Sequence, residues 1–108
     1  MKDQLISELF FALGIPLRLN GSIYLRYMLK KFRPGDFITK YLFPECAKEF
    51  GNSPRNVERA ARYALSFADL SRPEAKKIAG DAEGKLSVGE FFAVGYQFLL
   101  MHEKDEAA

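Results

Sequence analysis

The sequence predicts an all-α domain of five to six helices that contains a helix-turn-helix. Three observations carry that expectation. Apolar residues recur at helical spacing along most of the chain, Gly and Pro punctuate it at short intervals, and no run shows the alternation that marks a strand. With 108 residues, 48% of them hydrophobic and 28% charged, the chain can build one core but not two, so residues 1–108 are expected to form a single domain. No stretch approaches ~20 uncharged apolar residues. Asp3, Gln4 and Glu8 interrupt the N-terminal segment where a signal peptide keeps an apolar centre, so a cytoplasmic protein without a membrane span is expected. The single cysteine, Cys46, excludes an intramolecular disulfide and reads as a small buried hydrophobe.

Ile6, Leu9, Phe10 and Leu13 predict a first helix, stopped by Gly14 and Pro16. Asn20-Gly21-Ser22 then read as punctuation, and Leu25, Met28, Leu29 and Phe32 define a second helix that ends before Pro34-Gly35. The far face of that helix carries Arg26, Lys30 and Arg33, a stripe that fits a solvated surface and, secondarily, contact with a phosphate backbone. Ile38, Tyr41 and Leu42 suggest a third helix, and Pro44 forces a kink or a fresh start into a short helix over residues 44–50. A longer helix over 53–68 follows. Ser71 to Ala79 reads as a short helix with Pro73 in its first turn, and Gly80 to Gly84 as a flexible turn whose Asp81-x-Glu83 pair is solvated and too sparse for a cation site. Ser87 and Glu90 form a capping box that opens the last helix, residues 88–102. Apolar residues fall nearly all round that helix, which places it at the centre of the core or under another subunit, with Phe92, Phe98 and Leu99 as the inward set. Glu103 to Ala108 reads as an acidic, frayed tail.

The chemistry concentrates in residues 44–68. A helix-turn-helix needs a small residue where its two helices cross and a turn residue that accepts a positive φ, and Ala47 and Gly51 meet those needs. Cys46, Phe50, Val57 and Ala60 stand at spacings that would join the two helices. Ser53 is a natural N-cap, Pro54 occupies the first helical position and Asn56 the third. Val57, Ala60, Ala61, Ala64, Leu65 and Ala68 make one narrow apolar stripe of small residues. Opposite them lie Arg55, Arg59, Arg62 and Ser66, with Glu58 in range of Arg62 four residues on; Arg55, Asn56, Arg62 and Ser66 are candidates for phosphate or base contact. Arginine forks fit guanine O6/N7 and phosphate oxygens, and a glutamate can accept from cytosine N4. Charge pattern alone favours a solvated face; the caps and the turn move the balance to DNA.

The net charge of +2 conceals an asymmetry. Residues 14–77 hold 13 Lys/Arg against 6 Asp/Glu, an excess of +7, whereas residues 78–108 carry −4. A phosphate-facing surface beside a separate acidic end has this distribution. Lys40 and Lys48, on the segment leading to the arginine helix, are further candidates for phosphate contact, as are Arg26 and Lys30. An enzyme is the least supported class. His102 and Cys46 fall on different helices, His102 reads as a partly exposed residue at a helix end, and no phosphate loop or metal spacing occurs, so no cofactor or metal is expected.

Four segments carry a family likeness: ALGIPLRLNGSIYLRYML (12–29), ITKYLFPECAKEF (38–50), NVERAARYAL (56–65) and GEFFAVGYQFLLMHE (89–103). In order, they resemble a Gly-(Val/Ile)-Pro stretch leading to a glycine-initiated YLR helix, an ITK-x-L-aromatic-Pro scaffold helix, a V-E-R-A-x-R recognition helix and an E-F terminal helix. All four belong to the DNA-binding effector domain of the sporulation master response regulators, the stage-zero A family of spore-forming Firmicutes. The resemblance implies an all-α transcription-factor domain that binds double-stranded DNA boxes as head-to-tail pairs and touches the sigma subunit of RNA polymerase. It assigns Glu58 and Arg59 to base reading and Arg62 to a basic position on the same helix. Arg55 and Asn56 depart from the family's small-residue-then-arginine pair, which implies a different box. Stretches 33–37 and 69–87 are shorter than in the family, and 108 residues leave no room for a receiver domain, so an excised domain, or a stand-alone relative regulated by abundance or by a partner, is expected. The alternative reading is a protein-interaction module that keeps the fold and, without reading DNA, pairs with or inhibits a full-length regulator through its aromatic surface and last helix.

Overall fold

The chain is all-helical, and the computed structural model describes residues 2–80 and 84–107. Among the described residues six α-helices follow one another: α1 (Lys2–Leu13), α2 (Asn20–Lys31), α3 (Phe43–Phe50), α4 (Pro54–Leu65), α5 (Pro73–Ala79) and α6 (Val88–Ala107), with one turn of π-helix over Ile38–Leu42 leading into α3. Asp81 and Glu83, the solvated pair of the expected turn, lie outside the described residues.

α1 buries Leu5, Ile6, Leu9, Phe10 and Leu13 and stops where Gly14 turns left-handed at φ 84°. There the Ile15 N–H donates to the Phe10 carbonyl at 2.9 Å, so the last turn keeps its acceptors satisfied. Asn20-Gly21-Ser22 form the first turn of α2 rather than the punctuation expected of them. The reason is tertiary. Gly21 is packed so tightly under α4 that a Cβ added there would lie 1.9 Å from the Ala60 carbonyl oxygen, and the Ser22 hydroxyl, buried beside it, donates to the Pro16 carbonyl. α2 against α4 is the most extensive helix contact in the fold.

α3 starts afresh at Phe43 with Pro44 in its first turn, one of the two outcomes expected of that proline. Inside a continuous α-helix its ring would clash with the carbonyl four residues back, and the wider π turn, in which the Phe43 N–H reaches the Ile38 carbonyl, sits where that clash would fall. Of the residues expected to join α3 to α4, Cys46, Ala47 and Val57 are buried. Phe50 instead turns to α2, edge-on to Tyr24 and Tyr27 with ring centroids 5.1 and 5.4 Å away. α4 ends at Leu65, three residues short of the expected Ala68, because the Asp69 N–H is drawn to the Leu13 carbonyl at 2.8 Å and ties this corner to the end of α1. α5 begins at Pro73, and Ser71 stays outside it, its N–H and hydroxyl both donating to Asp69 Oδ1.

The capping box forms as expected: the Ser87 N–H donates to Glu90 Oε1 and the Glu90 N–H to Ser87 Oγ, both at 3.1 Å. These bonds hold the Glu90 carboxyl below its ordinary range. α6 lies in the core through Leu99 and exposes Met101. Phe91, absent from the expected inward set, is fully buried 5.7 Å from Phe10, and Phe92 stacks on Phe32 at 5.2 Å. Phe98 is only half-buried, its ring 4.1 Å from that of His102. The helix continues to Ala107 where the sequence reading ended it at His102; residues 103–107, EKDEA, hold no Gly or Pro to stop it.

Two consequences are measurable. Gly21→Ala drives a methyl into backbone and is expected to cost ~3 kcal/mol in chemical denaturation, whereas Gly95→Ala meets only the Leu29 and Leu9 methyls at 3.0–3.3 Å, a crowding offset by the better helix propensity of Ala, and should change stability by less than about 1 kcal/mol. The second concerns Asp3, which binds Lys30 and Arg26 of α2. The Lys30 ammonium, then the Arg26 guanidinium, hold its carboxyl below the usual 3.8. A depressed carboxylate contributes stability above its unfolded value that is lost as pH falls through the folded one. Unfolding curves of wild type and Asp3→Asn should therefore differ at pH 6 and converge as pH drops below 3.8.

Candidate nucleic-acid interface

The orientation of α4 follows from both of its ends and its underside. Gly51 takes φ 64°, ψ 41°, which closes α3 and reverses the chain. Two residues later Ser53 Oγ accepts the Asn56 N–H at 3.2 Å, and Pro54 fills the first helical position, where a missing N–H costs nothing. Val57, Ala61, Ala64 and Leu65 are buried beneath, with Ala60 half-buried on Gly21. Arg55, Arg59, Arg62 and Ser66 are consequently exposed, as their spacing requires.

The exposed groups are not equivalent. Arg62 closes on Glu58, its Nε and a terminal nitrogen 2.9 and 2.8 Å from the same oxygen, Oε2. Arg55 and Arg59 form no salt bridge among the described residues. Ser66 follows the last helical residue, and its hydroxyl donates to the Tyr63 carbonyl. Asn56 Nδ2 donates to Asn52 Oδ1 at 3.0 Å, and Asn52 Nδ2 to the Tyr24 hydroxyl at 3.1 Å.

The lysine and arginine candidates outside α4 divide. Lys40 is exposed in the π turn with its ammonium 6.0 and 5.7 Å from the rings of Phe37 and Tyr41, and Lys48 is exposed on α3. Arg26 and Lys30 are engaged on the α1 side of α2: Arg26 donates to the Asp3 carbonyl and to Ser7 Oγ, each at 2.9 Å, and Lys30 pairs with the Asp3 carboxylate. The structure does not bring these two to the outer face of α4.

Sequence reasoning missed three residues here. Tyr63 is 59% exposed on α4, edge-on to Phe67. Asn52 joins the turn to α2. Lys85 helps to line a cleft of about 270 Å³ with Arg62, Leu65, Ser66 and Ser87, where the segment entering α6 passes the end of α4. Its signal was available, since Lys85 is the only Lys or Arg between residues 78 and 103. Cys46, by contrast, is buried against α2, and desolvation pushes its thiol up to about 11, the opposite of an activated nucleophile. The Nδ1–H of His102 donates to the Phe98 carbonyl at 2.9 Å, within its own helix.

The cap that starts α4 can be weighed directly. Ser53→Ala removes the acceptor for the Asn56 N–H and is expected to lower stability by about 1 kcal/mol in thermal or urea unfolding, with Ser53→Gly losing only a few tenths.

Residues 6–88 match the family described as Sporulation initiation factor Spo0A C terminal. The matched span takes in α1 from Ile6, all of α2 to α5 with the whole of the α3–turn–α4 unit, and the first residue of α6. DNA-binding transcription regulation in sporulation is what the family implies. With the greater part of its length matched, and with the all-helical architecture that goes with it, the chain belongs to the Spo0A C-terminal family.

Proposed function

We propose that this domain reads double-stranded DNA sequence-specifically with α4 in the major groove. The observation that carries the reading is a pair of exposed guanidinium groups, Arg55 and Arg59, without acidic partners among the described residues, on a helix whose opposite side is seated on α2 through Gly21 and Ala60. A helix ~10–12 Å across fills a major groove ~12 Å wide. Its outermost side chains then meet base edges and its flanks meet phosphates.

In this arrangement Arg59 donates to a guanine. Glu58 keeps Oε1 for a cytosine amino group while Arg62 holds Oε2. Arg55, Arg62 and Lys85 serve phosphates, with Lys40, Lys48 and Ser66 as further contacts. The family likeness adds a head-to-tail second copy on neighbouring boxes and the sigma subunit of RNA polymerase as partners. A cytoplasmic location accords with this role, and no helix among the described residues is long and apolar enough to cross a membrane.

A second reading, a protein-pairing module that does not read DNA, draws on exposed rings: Phe11 is 71% and Phe37 65% exposed. Salt separates the two. Counterion release makes DNA affinity fall steeply with ionic strength, and an apolar protein contact has no such term.

Selection of bound duplexes from a random pool, followed by titration of the chosen box, tests the proposal. Arg59→Ala should weaken cognate binding by ~1–3 kcal/mol and relax preference at one base pair, with a smaller loss on random DNA. Equal losses on both would place Arg59 on the backbone, and no binding to any duplex would leave the pairing module.

A further inference from the structure

Asn56 sits in the first turn of α4, where a helix entering a groove presents its base-reading residues. Its carboxamide is not free to rotate. The Ser53 N–H points at Asn52 Oδ1 at 2.8 Å, and because a backbone N–H can only donate, that oxygen must face it. The same oxygen lies 3.0 Å from Asn56, whose facing atom must therefore be the donor, Nδ2. On its other side Asn52 donates to the Tyr24 hydroxyl of α2, so three elements fix the chain of bonds Tyr24–Asn52–Asn56. One N–H of the Asn56 amide is used. The second N–H and Oδ1 have no partner among the described residues, and the residue is exposed.

A free donor beside a free acceptor on one planar amide is the complement of the adenine major-groove edge, where N7 accepts and the N6 amino group donates. We infer that Asn56 reads an adenine, and that Asn52 is a positioning residue that orients it. The inference rests on the placement of α4 in the groove, and adds to it a named base and a second residue, neither assigned by the family likeness, which has an arginine at the place of Asn56. Holding the amide beforehand removes rotamer freedom that binding would otherwise have to freeze. Tyr24 supplies the anchor, since its own ring is packed against Phe50.

The test takes the box selected by the wild-type protein and varies one base at a time. The expected result is an adenine preference at one base pair that falls about fivefold or more in Asn56→Ala, while the guanine preference assigned to Arg59 stays. Replacing that adenine by 7-deazaadenine, which lacks the N7 acceptor, or by purine, which lacks the N6 amino group, should weaken the wild type and leave Asn56→Ala unmoved. Asn52→Ala should blunt the same preference without changing the slope of affinity against salt. Asn52→Asp, which keeps the acceptor for Ser53 and Asn56, should restore it, and thermal unfolding of each variant separates lost folding from lost orientation. DNA binding with a guanine preference but no adenine preference sensitive to Asn56 overturns this inference and leaves the groove placement standing. An Asn52→Ala variant that is folded and retains full adenine preference removes the positioning role. Absence of DNA binding altogether overturns both readings.

Discussion

The backbone-to-backbone approach of α2 and α4 at Gly21 and Ala60 is the constraint on which the rest of the molecule depends. Where helices are held apart by interdigitated side chains, small adjustments of rotamer let them slide. Here there is no side chain to adjust, because the residue on one side has none and the atom on the other is a carbonyl oxygen. The small underside of α4, Ala60, Ala61 and Ala64, is the matching half of that contact. Its consequence reaches the opposite face: with the axis of α4 fixed against α2, the directions of Arg55, Arg59 and Arg62 are fixed as well. The Ser22 hydroxyl on the Pro16 carbonyl and the Asp69 N–H on the Leu13 carbonyl then anchor the loops on either side.

What could be read from the sequence was local chemistry. Ser53 over Asn56 and Ser87 over Glu90 act within three residues, Gly14 and Gly51 close their helices through their own φ, and the Glu58–Arg62 pair is a matter of helical spacing. The arginine face of α4 follows from the same periodicity, so the outline of the candidate interface was visible beforehand. What could not be read depends on partners far along the chain. Gly21 looks like a turn until Ala60, 39 residues on, is known to lie against it. Arg26 and Lys30 look like a free basic stripe until Asp3 is found beneath them. Asn56 looks like one more polar group on the outer face, because nothing in a linear reading brings Tyr24 to Asn52. Phe91 and Phe92 are adjacent on α6 and both buried, which requires a helix packed on two flanks at once, by α1 and by α2.

The same pairings redistribute the charge. The excess of +7 over residues 14–77 is not spread evenly over the surface, since Asp3 engages Arg26 and Lys30 and Glu45 lies 3.7 Å from Lys31. Internal acids thus quiet the α2 side, and on α4, where Glu58 takes Arg62, they leave Arg55 and Arg59 without an acidic partner among the described residues. A protein of small net charge can in this way present a strongly positive edge, because field at a surface depends on the nearest unpaired groups and is screened beyond ~8–10 Å.

The π turn at Ile38–Leu42 sets the phase of everything that follows it. Such a turn is, in helical bookkeeping, a one-residue insertion that advances the azimuth of the downstream helix by about 100° relative to the upstream residues. That offset lets Phe37 and Tyr41 face outward while Phe43, Cys46 and Ala47 face inward along what is otherwise one continuous spiral. Loss of a single residue from this stretch would return ordinary winding and rotate the hydrophobic stripe of α3 off the core by more than a quarter of a revolution. A change of length in the loop before Phe37 leaves this phase untouched, whereas one in the five residues after it does not.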